Sequence, residues 1–238
     1  MNTAIGEVLF VKTGKVGANK KLGSGREFLS GIKKYPQNSA YIEKNGFKED
    51  EQGDLLHHGG ETKAVLLFST DTYDKLNKLS SNDFSFDSMA YYGENLVVEG
   101  INEANICIGD ILKIGEATIE VSQPRQPCWK LSANTKTKNM TSIIYNNGLT
   151  GWYARVKENG TISKNDKIFL LKRPYPELSI EALNKAIVDP LSYGEITKKA
   201  ITCYALGKQF KDSLQGRAKL KNPKNEPFLY HKEPDEQM

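Results

Sequence analysis

The first three quarters of the chain consist of short apolar segments separated by turns that contain glycine or aspartate, and this succession constrains the fold most strongly. Strands of this length and spacing are typical of a β-barrel or of a mixed sheet that curls on itself. A doubly wound sheet would require strands and helices to alternate regularly, and the sequence lacks that alternation. We therefore predict a mostly β fold of the α+β class, with strands at 5–11, 64–68, 117–121, 152–156 and 167–171, a lysine-rich loop at 13–25, and flanking helices near 70–79 and 138–146.

The sequence changes character at residues 173–176, an Arg-Pro-Tyr-Pro segment after which apolar residues recur at helical spacing. Ser179 can cap the first of three helices, because its hydroxyl can accept a backbone hydrogen bond. Ile180, Leu183 and Ile187 would then lie on one face of that helix. These patterns predict a β-barrel domain at 1–174, a small three-helix domain at 175–222 and a loosely ordered tail at 223–238.

Composition argues against several classes of protein. The net charge of +4 is spread along the 238 residues, which is too weak and diffuse to indicate a nucleic acid polymer as partner. The start of the chain lacks a signal-peptide pattern and no run approaches eighteen apolar residues, so we expect a cytoplasmic protein without a membrane partner. The three cysteines form no C-x-x-C pair, as is typical of a reducing cytosol. Cys107 and Cys203 lie in apolar patterns, which favours packing roles.

The third cysteine, Cys128, follows a predicted strand on a turn that two prolines stiffen. Pro124 and Pro127 lack a backbone N–H, so we expect them to stop the strand ladder. Arg125 and Lys130 are close enough in sequence to favour the thiolate over the thiol by Coulomb attraction. The arrangement indicates a metal ligand or a nucleophile, although a single cysteine is also often a small buried hydrophobic residue.

A second candidate site is the His57-His58-Gly59-Gly60 segment before a buried strand. Glycines let the backbone approach a ligand closely and expose its N–H groups, so an anion or the edge of a cofactor could bind there. The alternative is a plain turn with exposed histidines, and two adjacent histidines alone are weak evidence for zinc. Asn95 can donate and accept, so it could contact a heterocycle or cap its own turn.

Several motifs occur in a fixed order between residues 5 and 172. They are Ser30-Gly31-Ile32 with Lys34 and Pro36; His58-Gly59-Gly60 with Lys63-Ala64-Val65; Gly93-Glu94-Asn95-Leu96; Gly109-Asp110; Ser122-Gln123-Pro124-Arg125 with Pro127-Cys128 and Lys130-Leu131; and Gly151-Trp152-Tyr153 with Arg155-Val156. This combination resembles the MOSC domain family, the molybdenum cofactor sulfurase C-terminal type, and more closely its bacterial YiiM-type members, which also have a three-helix C-terminal domain. Glu49 and Asn165 depart from the family pattern, because glycine usually stands at both turn positions.

The resemblance implies a β-barrel that binds the molybdenum cofactor, a pterin whose dithiolene sulfurs hold molybdenum and whose other end carries phosphate. Cys128 would be the protein thiolate on molybdenum, in agreement with the independent interpretation of its surroundings. For Lys63 and Arg155, a structural salt bridge is an equally good interpretation. The residues that the resemblance assigns to the pterin and phosphate pocket are Ser30, Lys34, His58, Gly59, Gly60, Asn95, Gln123, Arg125 and Lys130.

The resemblance also implies molybdenum-dependent reduction of N-hydroxylated compounds, such as hydroxylaminopurine-type bases, to amines. The sequence carries no flavin, haem or iron–sulfur motif, so a separate reductase would deliver the electrons. One alternative is a sulfur carrier with a persulfide on Cys128, and another is a non-enzymatic binding module. The helical C-terminal part would also allow a homodimer.

Overall fold

The structure is a computed structural model and describes residues 3–53 and 59–220. Its strands are β1 (Ala4–Thr13), β2 (Gly17–Lys20), β3 (Glu27–Ser30), β4 (Tyr35–Gln37), β5 (Ser39–Glu43), β6 (Gly46–Phe47), β7 (Val65–Ser69), β8 (Leu96–Glu99), β9 (Ile111–Ile114), β10 (Ala117–Pro124), β11 (Trp152–Glu158), β12 (Gly160–Ser163) and β13 (Lys167–Lys172). Its α-helices are α1 (Thr70–Ser80), α2 (Lys130–Thr135), α3 (Met140–Asn147), α4 (Ile180–Val188), α5 (Gly194–Thr202) and α6 (Lys208–Ala218), and a 3-10 turn at Glu61–Lys63 precedes β7.

Seven of these strands form a closed barrel. The order is β13, β9, β10, β11, β7, β8 and β1, and pairing of β1 with β13 closes the ring. β7 and β8 are parallel, whereas the other neighbouring pairs are antiparallel. A parallel pair needs a crossover connection, and α1 lies in the segment that provides it. The predicted mostly β class and the barrel are therefore confirmed.

The two flanking helices that the sequence predicts are confirmed as α1 and α3. The Ser69 hydroxyl caps α1 by accepting a hydrogen bond from the Thr72 N–H at 3.1 Å. Gly148 ends α3 in the left-handed conformation, with φ 65°. Helix α2 was not predicted, because it begins three residues after Pro127, in a segment that the sequence indicates only as a stiff turn.

Helices α4, α5 and α6 confirm the helical C-terminal part. The Ser179 hydroxyl caps α4 by accepting from the Ala182 N–H at 3.1 Å. Leu183 and Phe210 belong to the same buried hydrophobic cluster as the barrel core, so the helices pack on the barrel. The domain boundaries stay predictions, and the predicted tail at 223–238 lies outside the described residues. No helix in the described part of the chain is both long and apolar enough to span a bilayer.

Two local predictions were wrong. The expected loop at 13–25 contains β2, which pairs with β3 in a separate two-stranded sheet. Pro124 does not stop the ladder, since it lies opposite Trp152 in the β10–β11 pair. β9 pairs only with the first half of β10, so the proline stands at an edge where its missing N–H breaks no ladder. Cys107 and Cys203 are buried, as their packing interpretation predicts.

A buried ion pair joins β1 to the turn before β8. The Lys12 Nζ lies 2.8 Å from the Glu94 Oε1, and both side chains are fully buried. The Tyr73 hydroxyl donates to the same oxygen at 2.6 Å, and the Tyr92 N–H donates to Oε2 at 3.1 Å. The carboxylate is therefore satisfied only while its cation and both donors stay in place.

Replacing Lys12 by methionine is expected to lower the free energy of unfolding by about 3–5 kcal/mol, because the Glu94 carboxylate would stay buried without its cation. Equilibrium urea unfolding measures the loss. The matched control is Lys15→Met, which breaks the exposed Lys15–Glu51 pair and should change stability little. Equal losses in the two variants would contradict the prediction.

Candidate functional site

A cleft lies where the segments that follow β3 and β10 meet the turn before β8. Its walls bring together residues that stand far apart in the sequence. Six of the predicted site residues line it, namely Ser30, Lys34, Asn95, Arg125, Cys128 and Lys130. Most of the predicted pocket is therefore assembled in one place.

Cys128 lies in the wall of this cleft and is 4% exposed. Its carbonyl oxygen accepts hydrogen bonds from the Leu131 N–H and the Thr141 hydroxyl, each at 3.0 Å. These bonds fix the turn between β10 and α2. The backbone that carries the thiol is consequently fixed at the cleft, which favours a role as a metal ligand or a nucleophile.

Arg125 lines the same cleft and is 5% exposed. Its backbone N–H donates to the Gly151 carbonyl at 3.2 Å, and its guanidinium is close enough to the Tyr153 hydroxyl to influence the pKa of that group. The Nε and Nη1 atoms are buried and have no hydrogen-bond partner among residues 3–53 and 59–220. Burying a cation whose N–H donors lack acceptors costs folding free energy, unless an anion pairs with it and accepts those hydrogen bonds. This guanidinium therefore indicates a binding site for an anion.

Tyr153 also lines the cleft, and the sequence analysis did not assign it to the site. Burial raises the pKa of its hydroxyl, while the neighbouring Arg125 guanidinium opposes the rise. The Lys63 Nζ lies 5.9 Å from the centre of its ring, and Lys63 donates to the Gln209 side chain in the first turn of α6. The helical C-terminal part thus reaches the cleft wall through Gln209, for which the sequence offers no signal.

Lys34 pairs with Asp50 in the cleft, and both side chains are buried. Burial lowers the pKa of Lys34, and the attraction of Asp50 opposes that shift. The Asn95 Nδ2 donates to the Asp50 Oδ2 at 3.0 Å and to the Lys12 carbonyl at 3.2 Å. The Asn95 Oδ1 accepts from the Leu66 N–H at 3.2 Å. Both amide hydrogens of Asn95 are therefore used inside the protein, where they support the cleft wall and hold Asp50.

Replacing Asp50 by asparagine is expected to make stability more dependent on pH. Without that carboxylate, burial would lower the pKa of Lys34 further. The folded state would then bind fewer protons than the unfolded state between the lowered pKa and the ordinary value of 10.5, so the stability of the variant should rise with pH in that range. Urea unfolding at about pH 7 and about pH 9.5 measures the difference. The control is Glu51→Gln, and the same slope in both variants would contradict the prediction.

Gln123 was predicted to line the pocket, but it lies outside the cleft. A register shift between Val121 and Gln123 interrupts the β10–β11 pair, and such irregularities re-aim a side chain. The Gln123 side chain is fully buried against Gly207, where an added Cβ would collide with its Oε1. Its place is therefore between the barrel and the segment before α6.

The glycine segment is only partly described. Gly60 is exposed, has φ 89° and does not line the cleft, and Gly59 does not line it either. His58 lies outside the described residues. The Ser30 hydroxyl accepts a hydrogen bond from the Ile32 N–H and lines the cleft. Lys130 also lines the cleft, and none of the described carboxylates pairs with it. Ser30 and Lys130 thus remain candidate cofactor-binding residues because they line the cleft. Gly59 and Gly60 remain candidates only because of the sequence motif in which they lie.

Arg155 has the structural role that the sequence analysis allowed. Its Nη1 lies 3.1 Å from the Glu120 Oε2, and its Nη2 donates to the Ala205 carbonyl at 2.8 Å. These contacts fasten β11 to β10 and to the segment before α6.

A family model, the MOSC domain, matches residues 54–169 of the chain. The chain is similar to YflK, an uncharacterized protein of Bacillus subtilis, with 38% identity over 162 residues, which cover 68% of this chain and 72% of that protein. It is also similar to a protein of Gibberella moniliformis named reductase, with 34% identity over 184 residues, 76% of this chain and 32% of that protein. The crystal structure of YiiM from Geobacillus stearothermophilus matches with a TM-score of 0.73 and 25% identity over 90% of this chain and 99% of that one.

Proposed function

Because the chain belongs to the MOSC domain family and is YiiM-like within it, we propose that its cleft holds the molybdenum cofactor and reduces N-hydroxylated compounds to amines. The observation that carries the proposal is the placement of a buried, incompletely bonded Arg125 guanidinium and the Cys128 thiol in one cleft. The first suits an anionic ligand and the second suits a soft metal.

The chemistry of the donor set fits this cofactor. A thiolate is the protein ligand that a thiolate-rich molybdenum centre favours, and Cys128 would supply it. Arg125 can form charge-assisted hydrogen bonds to a phosphate through its two unmatched nitrogens. Lys130, at the start of α2, would add a second cation on the same wall.

When bound, the cofactor would supply the two-electron reduction in which N–OH, two electrons and two protons give N–H and water. The protein groups would bind, orient and shield the reactants. Arg125 and Lys130 would hold the anionic end of the cofactor, and Cys128 would fix its metal end. The Tyr153 hydroxyl lines the cleft, and because burial raises its pKa it would stay protonated and donate a hydrogen bond to the bound reactant.

One comparison further supports a reductase. The fungal relative carries that name, although this chain matches only 32% of its length. The sequence has three cysteines, too few for a four-cysteine iron–sulfur cluster, and in this proposal a reductase protein delivers the electrons. A persulfide on Cys128 would instead need a second protein to reach a thiol that is only 4% exposed.

The test is anaerobic turnover of 6-N-hydroxylaminopurine with reduced methyl viologen as electron donor, using protein from cells that make the cofactor. We expect stoichiometric formation of adenine, measured by liquid chromatography, that stops when the donor is left out. Absence of turnover would overturn the proposal if a control molybdoenzyme from the same cells is active. Sulfane sulfur on Cys128 that dithiothreitol releases would then favour the carrier.

A further inference from the structure

The β2–β3 hairpin stands outside the barrel and forms its own two-stranded sheet. It packs on the segment that carries Cys128. The Phe28 and Trp129 rings meet edge to face at 4.6 Å, and the Asn19 Nδ2 donates to the Asn134 Oδ1 at 3.2 Å. The hairpin and α2 are therefore neighbours.

These two elements form one border of the cleft. Ser30, the last residue of β3, lines the cleft, and so does Lys130, the first residue of α2. We call residues 14–34 and 121–139 together the basic rim. A protein that binds the rim would lie beside the cleft opening.

The positive charge of the chain is concentrated in the basic rim. Residues 14–34 carry six lysines or arginines and one glutamate, and residues 121–139 carry four lysines or arginines and no acidic residue. The complete chain has a net charge of only +4, so the remaining residues are acidic on balance. Two of these cations are offset by the neighbouring acidic segment, because Lys15 pairs with Glu51 and Lys34 pairs with Asp50.

Part of this charge is available for a partner. Lys20, Lys136 and Lys138 are exposed, and no carboxylate in the described ranges pairs with them. The same rim also carries exposed apolar side chains, since Leu29 is 67% exposed and Leu22 is 37% exposed. A surface that carries both cations and exposed leucines is complementary to an acidic protein surface that also has apolar residues. A nucleic acid backbone offers phosphates to the cations but no apolar surface to the leucines.

From this charge complementarity we infer that the basic rim is the docking surface for an acidic flavoprotein that delivers electrons to the cleft. The inference rests on the proposed function, because the cleft needs two electrons for each N–O bond that it reduces. The flavin of the donor loses two electrons and is oxidised. The N-hydroxylated compound in the cleft takes up these electrons and two protons, and it is reduced to the amine and water. Opposite charges at the two surfaces would steer the encounter, and salt would weaken it.

The experiment compares two electron donors on one triple variant, Lys20→Glu with Lys136→Glu and Lys138→Glu. Reduced flavodoxin, an acidic FMN protein, needs a docking surface, whereas reduced methyl viologen is a small radical monocation that does not. We expect the variant to lose about tenfold or more of the flavodoxin-driven rate at low salt and to keep the viologen-driven rate within about twofold. The matched control reverses three exposed lysines outside the rim, Lys172, Lys198 and Lys219.

The outcomes separate the two proposals. A wild type that reduces no substrate with either donor refutes the proposed function. A wild type that works with viologen but not with flavodoxin, or equal flavodoxin-driven losses in the rim and control variants, overturns the docking inference alone. Loss of binding to a DNA oligonucleotide in the rim variant, with an unchanged flavodoxin-driven rate, would assign the rim to nucleic acid instead.

Discussion

Arg125→Met is expected to weaken binding of the cofactor by about 100-fold, the equivalent of about 3 kcal/mol, and to stabilise the cofactor-free protein. The two effects have opposite signs for one reason. The guanidinium is buried, and its Nε and Nη1 have no hydrogen-bond acceptor among the described residues. Its burial therefore costs folding free energy until an anion binds and accepts these hydrogen bonds. Titration of cofactor-free protein with isolated cofactor measures the first effect, and urea unfolding measures the second.

The control for this variant is Arg155→Met. Arg155 is bonded to Glu120 and to the Ala205 carbonyl, so its loss should lower stability and leave cofactor affinity nearly unchanged. A structural role for Arg125 would give that same result. Lower stability and unchanged affinity in Arg125→Met would therefore contradict an anion site at this guanidinium.

Cys128→Ser is expected to lower kcat/KM for the viologen-driven reaction by about 1,000-fold or more, a loss of about 4 kcal/mol of transition-state stabilisation. Serine keeps the size of the side chain but is a hard, neutral donor that suits molybdenum poorly. The carbonyl of residue 128 would still accept from Leu131 and Thr141, so the turn should persist. An unchanged circular dichroism spectrum and melting temperature would show that the fold is intact.

Cys203→Ser is the matched control, because Cys203 is equally buried but lies in the hydrophobic cluster among the helices. It should reduce stability and leave kcat/KM within about threefold of the wild type. Similar activity in Cys128→Ser and wild type would remove Cys128 from the metal site.

The barrel and the C-terminal helices could be predicted because each rests on a local signal. Alternation of apolar residues marks residues 117–121 as a strand, which the structure extends to Pro124, and Ser69 and Ser179 mark helix starts with side chains that do cap them. The β2–β3 hairpin escaped prediction because its four-residue strands are largely exposed and carry no alternating apolar pattern.

The site could be predicted only where functional side chains lie close to one another in the sequence. Arg125, Cys128 and Lys130 stand on one turn, so the sequence alone groups them. Asp50 contacts Lys34 and Gln209 contacts Lys63, and both contacts are tertiary. The segments around Asp50 and Gln209 contain no pattern that predicts these contacts. The place of Gln123 depends on a register shift that no periodicity reveals.

The central claim is that this cleft holds the molybdenum cofactor. The most direct measurement is the molybdenum and pterin content per chain, by elemental analysis and by pterin fluorescence, after anaerobic purification from cells that make the cofactor. We expect near-stoichiometric metal and pterin in the wild type, with metal lost from Cys128→Ser and pterin lost from Arg125→Met. Wild-type protein that carries neither, beside a fully loaded molybdoenzyme from the same cells, would contradict the claim.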